Sequence, residues 1–219
     1  MKKEKNLKYS LLEIEKALEA EKEKLKAFEK KKLFFQFSDS FETIGRCYEL
    51  LGEKDLARQQ FNNAIGAIGS EIKERNTGKQ DNRPTTDDLW LYYFQSFWLC
   101  YKAGDTTKMK SLAEALDQLV PNLAKPIGLA ERIEVTLSFF ICGDNQKAGK
   151  LYKKFELRQY EKTDYHPEVK IIAAGLFKNP SLAKRAVEIL EREISLSGIK
   201  PWYANNYEFD LRQIAKTLL

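Results

Sequence analysis

The chain has 219 residues, 37 Lys and Arg against 32 Asp and Glu, and a formal net charge of +5 at neutral pH. That length suits one domain burying roughly 70% of its unfolded chain's surface, and no run approaches the ~18 apolar residues of a membrane span. Residues 1–32 hold 11 Lys and 7 Glu, so the remainder is almost neutral, which argues against a nucleic-acid-binding surface across the whole protein.

The charged start, "MKKEKNLKYS", is followed by no apolar core of the length a secretory signal needs. Cys47, Cys100 and Cys142 lie far apart among apolar residues. This is the pattern of reduced thiols packed as small hydrophobes, not of a disulfide framework or a zinc site. A cytoplasmic location is the expectation that follows.

From Met1 to Ile44 there is neither Gly nor Pro. Leu7, Leu11, Ile14, Leu18, Leu25 and Phe28 recur at intervals of three, four and seven, which predicts a long amphipathic helix over 1–37. Glu21 and Lys32 interrupt the stripe, leaving too few heptads for a coiled coil. Ser38, Asp39 and Ser40 read as N-caps that end it and start the next helix. That helix stops at Gly52, and its partner runs from about Lys54 through Ile68. "SEIKERNTGKQDNRPTTDD" is polar, and its later part, 75–86, is expected to be a mobile loop.

Beyond the loop, helical periodicity returns in pairs. "LWLYYFQSFWLCYKAGD" is aromatic nearly all round and turns at Gly104 into "TTKMKSLAEALDQLV". "GLAERIEVTLSFFICGD" turns at Gly143 into a Lys-rich helix. "HPEVKIIAAGLFKNP" turns at Asn179-Pro180, an N-cap followed by Pro at the first helical position, into "SLAKRAVEILEREISLSG". A last helix follows "GIKPWYANN". Strand signals are absent, and the chain reads as all-α.

In the stretch 41–65, Phe41, Ile44, Gly45, Tyr48, Gly52, Ala57, Phe61 and Ala64 fall at the spacing of a tetratricopeptide repeat, lacking only the closing Pro. Gly45 and Ala57 are small where two helices approach, with Tyr48 and Phe61 beside them. Three further units match in pattern, not in letters. Gly104 precedes Met109, Ala113 and Leu116; Gly143 precedes Ala148, Tyr152 and Phe155; the fourth keeps Ala183, Val187 and Leu190 behind Lys178-Asn179-Pro180.

The chain therefore resembles the tetratricopeptide-repeat family. The resemblance implies an α-α superhelix of about nine helices in stacked antiparallel pairs, a single domain over 1–219. Its parts would be the N-terminal helix over 1–37, repeats at 38–70, 87–121, 127–160 and 164–197, and a capping helix at 205–219. In that family the first helix of each pair lines a concave groove. By position this puts Arg46, Glu49, Phe94, Trp98, Tyr101, Lys102, Glu134 and Leu137 toward a partner. The aromatic residues among them read equally as groove anchors or as core. Glu42 and Arg46 stand where the family's carboxylate clamp carries Lys and Asn, so a chaperone-tail adaptor is not expected.

The inventory for chemistry is thin. His166, the one histidine, precedes Pro167 and reads as a cap. "GDNQKAGK" (143–150) lacks the Ser/Thr and the preceding strand of a phosphate loop. Glu131 and Glu134 share a helix face as in di-iron bundles, but no Glu-x-x-His accompanies them. Lys30–Lys32 beside Phe34, Phe35 and Phe37 has the ingredients of single-strand binding but reads better as a solvated helix end. The sequence thus points to a non-enzymatic module without cofactor or metal, monomeric or weakly dimeric. It would bind a protein or peptide as an adaptor, regulator or inhibitor, away from membranes, with nucleic acid disfavoured. An immunity-type protein that neutralises a toxin and an RNA-binding helical array stand as the alternatives.

Overall fold

A computed structural model describes residues 9–29, 34–77, 83–122 and 127–219. Among them are ten α-helices and no strand. Helix α1 (Leu11–Glu29) packs on α2 (Phe34–Leu50), and α2 pairs with α3 (Lys54–Thr77). The next pairs are α4 (Thr86–Ala103) with α5 (Thr106–Leu119), α6 (Leu129–Ile141) with α7 (Asn145–Lys154), and α8 (Pro167–Phe177) with α9 (Pro180–Ser197). Helix α10 (Glu208–Thr217) packs on α9 and α8. The all-α superhelix of neighbouring pairs expected from the sequence is the architecture observed.

The repetition is sharpest at the turns. Four backbone bonds close the first helix of each pair in the same way: Glu53 N–H donates to Tyr48 O, Asp105 to Cys100 O, Asp144 to Phe139 O and Asn179 to Ala174 O, all at 2.9–3.0 Å. This is the six-to-one bond of a Schellman ending, which needs a left-handed residue one position earlier. Gly52, Gly104 and Gly143 supply it with φ of 84°, 76° and 78°, while the fourth turn forces Lys178 to φ 51°. At the last three turns the residue after the left-handed position then caps the second helix, through Asp105, Asp144 or Asn179.

Packing follows the spacing. A Cβ on Gly45 would meet the Phe61 ring at 2.7 Å, so α2 and α3 approach as closely as glycine allows. Phe61, Ala57 and Ala64 are buried beside it. The main core joins α4 through α10 around Phe97, Trp98, Leu116, Val135, Ile171 and Leu190. Cys47 and Cys100 are buried and Cys142 half-buried, all free; burial pushes the thiols up to about 12, 11 and 11, which disfavours the thiolate.

Three boundaries differ from expectation. Helix α2 runs without a break through Ser38-Asp39-Ser40, where N-caps were expected. Ser38 and Ser40 are buried instead, and they answer to Gln95 of α4 and Glu21 of α1. The helix expected over 1–37 starts only at Leu11, behind a reciprocal box in which Ser10 and Glu13 bond each other's backbone N–H, and residues 34–37 belong to α2. Helix α3 continues nine residues past Ile68 to Thr77, held by Arg75, which bonds Tyr92 and Asp88 of α4. Residues 78–82 of the expected loop, and Leu7, lie outside the described residues. Leu11 of the apolar stripe is exposed, whereas Ile14 and Leu18 are buried against α2.

The fourth turn gives a direct test of the repeat. Replacing Lys178 by Gly should add about 0.5–1 kcal/mol of stability by relieving the left-handed strain, read as a higher urea midpoint at unchanged slope.

Candidate functional site

The segment between α9 and α10 returns to the start of the array. Trp202 is buried with Ile14, Leu18, Ile44 and Cys47 of α1 and α2. Asn205 takes a left-handed φ of 57°, and its N–H donates to Glu42 while its amide donates to Asp39. Five residues on, Asp210 accepts from Arg46 of α2 at 3.2 Å and from Lys102 of α4 at 3.0 Å. Arg46 also bonds Glu42, Lys102 pairs with Glu49, and Tyr207 stacks on Trp98 with centroids 4.8 Å apart.

This decides where the expected partner-facing residues stand. Arg46 and Trp98 are 2% and 1% exposed, under the chain's own C-terminal segment. Lys102 belongs to the same ionic network; Glu49 reaches it from its solvent edge. Tyr101 is half-buried against the Trp98 ring. Phe94, Glu134 and Leu137, by contrast, come together on one cleft, with the buried Trp98 stacked behind Tyr207 at its edge. At its α2 end the groove is filled, and between α4, α6, α8, α9 and α10 it stays open. The 30–32 lysine run lies outside the described residues, and Phe37 beside it is buried.

The open part has a volume of about 270 Å³. Phe94, Trp98 and Tyr207 form an aromatic wall of edge-on and stacked rings. Ile133, Leu137, Leu190 and Leu211 form the apolar floor. Four carboxylates enter it: Glu134 from α6, Glu168 from the first turn of α8, Glu193 from α9 and Glu208 from α10. Tyr165, 85% exposed, stands at the rim beside His166. His166 caps α8 with its backbone only, and its ring packs edge-on to Tyr160.

No Lys or Arg lines this cleft. Glu134 receives the Trp90 indole N–H at 2.7 Å, yet burial, with Glu131 adding repulsion, raises its carboxyl above the ordinary range. Glu193 is raised by burial against the pull of Arg192, and Glu208 and Asp164 add to the rise. Glu168 is pushed to about 7 by burial first, then by the charges of Glu193, Glu134 and Glu208, against the pull of its own backbone N–H. The carboxyl group sits deep although part of the residue is exposed. Among the described residues, no group of three or more His, Cys, Asp or Glu could hold a metal ion.

Glu168, Glu193, Tyr207 and Glu208 were not among the residues expected at the site because they come from three separate places in the chain, at 168, 193 and 207–208. Only Pro167 at a helix start signalled that Glu168 would sit on a first turn. Comparison with protein-family models, curated proteins and solved structures finds no match to this chain. No helix among the described residues is long and apolar enough to cross a membrane.

Two measurements test this geometry. Asp210→Ala leaves Arg46 and Lys102 short of a buried partner, so it should cost about 3–5 kcal/mol, seen as a lower urea midpoint. Glu168 has a folded-state value above the ordinary one, so its ionisation opposes folding, with no penalty below pH 4 and a growing one as pH rises through 7. Glu168→Gln should match the parent at pH 4 and exceed it at pH 8 by at most about 3 kcal/mol in thermal unfolding.

Proposed function

We propose that the protein is a non-enzymatic interaction module, an adaptor, regulator or inhibitor, that holds a protein partner at the cleft between α4, α6, α8, α9 and α10. The observation that carries this reading is the contrast between two halves of one groove. In the first half, Arg46 and Lys102 are bound by Asp210 of the chain's own C-terminal segment. In the second, the half-buried rings of Phe94 and Tyr207 and four carboxylates line an open cleft beside an exposed tyrosine. Aromatic anchors in a preformed concavity are the usual core of a binding hot spot.

The kinship with tetratricopeptide repeats is part of this proposal, supported by the four equivalent turn bonds and the close Gly45–Phe61 approach. A nucleic-acid ligand is disfavoured at the cleft, since four carboxylates repel phosphate.

Immobilised protein should retain a partner that is lost with Tyr165→Ala, a rim change that leaves the core intact, and kept with Lys150→Ala on the exposed face of α7. Equal retention by the Tyr165 variant, or recovery of RNA with a steep salt dependence, would sink the proposal.

A further inference from the structure

We infer that the cleft receives the guanidinium or ammonium head of a basic side chain carried by the partner, with Glu168 as its counter-ion. The inference rests on the protein-binding reading above and names the part of the partner that enters.

Three independent features converge on an organic cation. The first is charge. Among the described residues, no Lys or Arg lines the cleft beside Glu134, Glu168, Glu193 and Glu208, and the one nearby cation that acts on them is Arg192, which pulls on Glu193. Buried carboxylates elsewhere in the molecule do have partners, Glu42 on Arg46 and Asp210 on Arg46 and Lys102. The charged neighbours of Glu168 at the cleft are the three other glutamates, with His166 and Tyr165 next to it in the chain. A buried carboxyl left without a partner and repelled by its neighbours is the place where an incoming positive charge gains most, because the surrounding apolar wall weakens screening.

The second feature is shape. A volume of about 270 Å³ lies just below the roughly 300–1,000 Å³ of pockets that take whole small molecules. It suits one long side chain, whose methylene stem would lie along Ile133, Leu137, Leu190 and Leu211 while its head meets the acids. The third feature is the chemistry of the donors. The carboxylates are spread around the cleft and form no metal-holding group, so a multi-atom cation with several N–H donors fits where a single ion does not. Tyr165 at the mouth offers a flat apolar surface for residues flanking the basic one.

The same head group could arrive on a free amine, so the test carries both. The full chain, labelled with nitrogen-15, is titrated at pH 8 with the blocked tripeptide Gly-Arg-Gly, its neutral counterpart Gly-Gln-Gly, and agmatine. The arginine tripeptide should give saturable shifts centred on Glu134, Tyr165–Glu168, Glu193 and Tyr207–Glu208, and the glutamine tripeptide none. Binding should weaken about tenfold in Glu168→Gln, the loss of one ion pair at about 1.4 kcal/mol, and similarly for the parent at pH 5.5. A thermal scan of the variant confirms that it is folded.

Equal response to the glutamine tripeptide, shifts confined to another surface, or unchanged binding in Glu168→Gln overturns the inference. If the arginine tripeptide fails while partner capture still depends on Tyr165, the cation is wrong and the protein-binding reading stands. If agmatine binds as tightly as the tripeptide, the cation site stands and a polypeptide source is overturned.

Discussion

One carboxylate ties the two ends of this molecule together. Asp210, near the C-terminus, meets Arg46 of the first pair and Lys102 of the second, with Glu42 and Glu49 completing an alternating chain of charges. Such a buried network offers little net stability over an apolar one of the same shape, but it is intolerant of losing a member. Its value here is positional. A helix pair cannot bury its apolar face alone, and the outer pairs of a stack need covers. The tether holds Trp202 on the first pair and Tyr207 on Trp98, so one stretch of chain covers the start of the stack and half its groove.

The candidate site is a by-product of that arrangement. The returning segment fills the groove over α2 and the near side of α4, then enters α10 and leaves the remainder open. Its own Tyr207 and Glu208 become part of the wall. The segment that removes one set of groove residues from solvent defines the edge of the space where the others remain.

Helix pairing was legible in the sequence because it is written locally. Left-handed glycines at the turns, an aspartate or asparagine directly after most of them, and small residues opposite large ones are all within one hairpin's span. The missed boundaries are those where a distant contact outweighs a local signal. Ser38 and Ser40 have the chemistry of caps, yet bonds to Gln95 and Glu21 draw them into a continuous helix. Arg75 extends α3 because Tyr92 and Asp88 receive it. For the cleft, Phe94, Trp98 and Glu134 were accessible through the expected groove face of α4 and α6. Glu168, Glu193 and Glu208 were not, since no hairpin-scale rule says which later carboxylates a superhelix will turn inward. Arg46 shows the converse: the right face of the right helix, claimed by a segment 164 residues away.

Repeat arrays usually lengthen or shorten by whole units, because each pair touches only its neighbours and nothing senses the total. A bond between Arg46 and Asp210 does sense it. Inserting or deleting one pair would shift the last helix by a full step of the stack and carry Asp210 away from both its cations. Four pairs is thus a counted number, held by one carboxylate that must reach a cation on the first pair and another on the second.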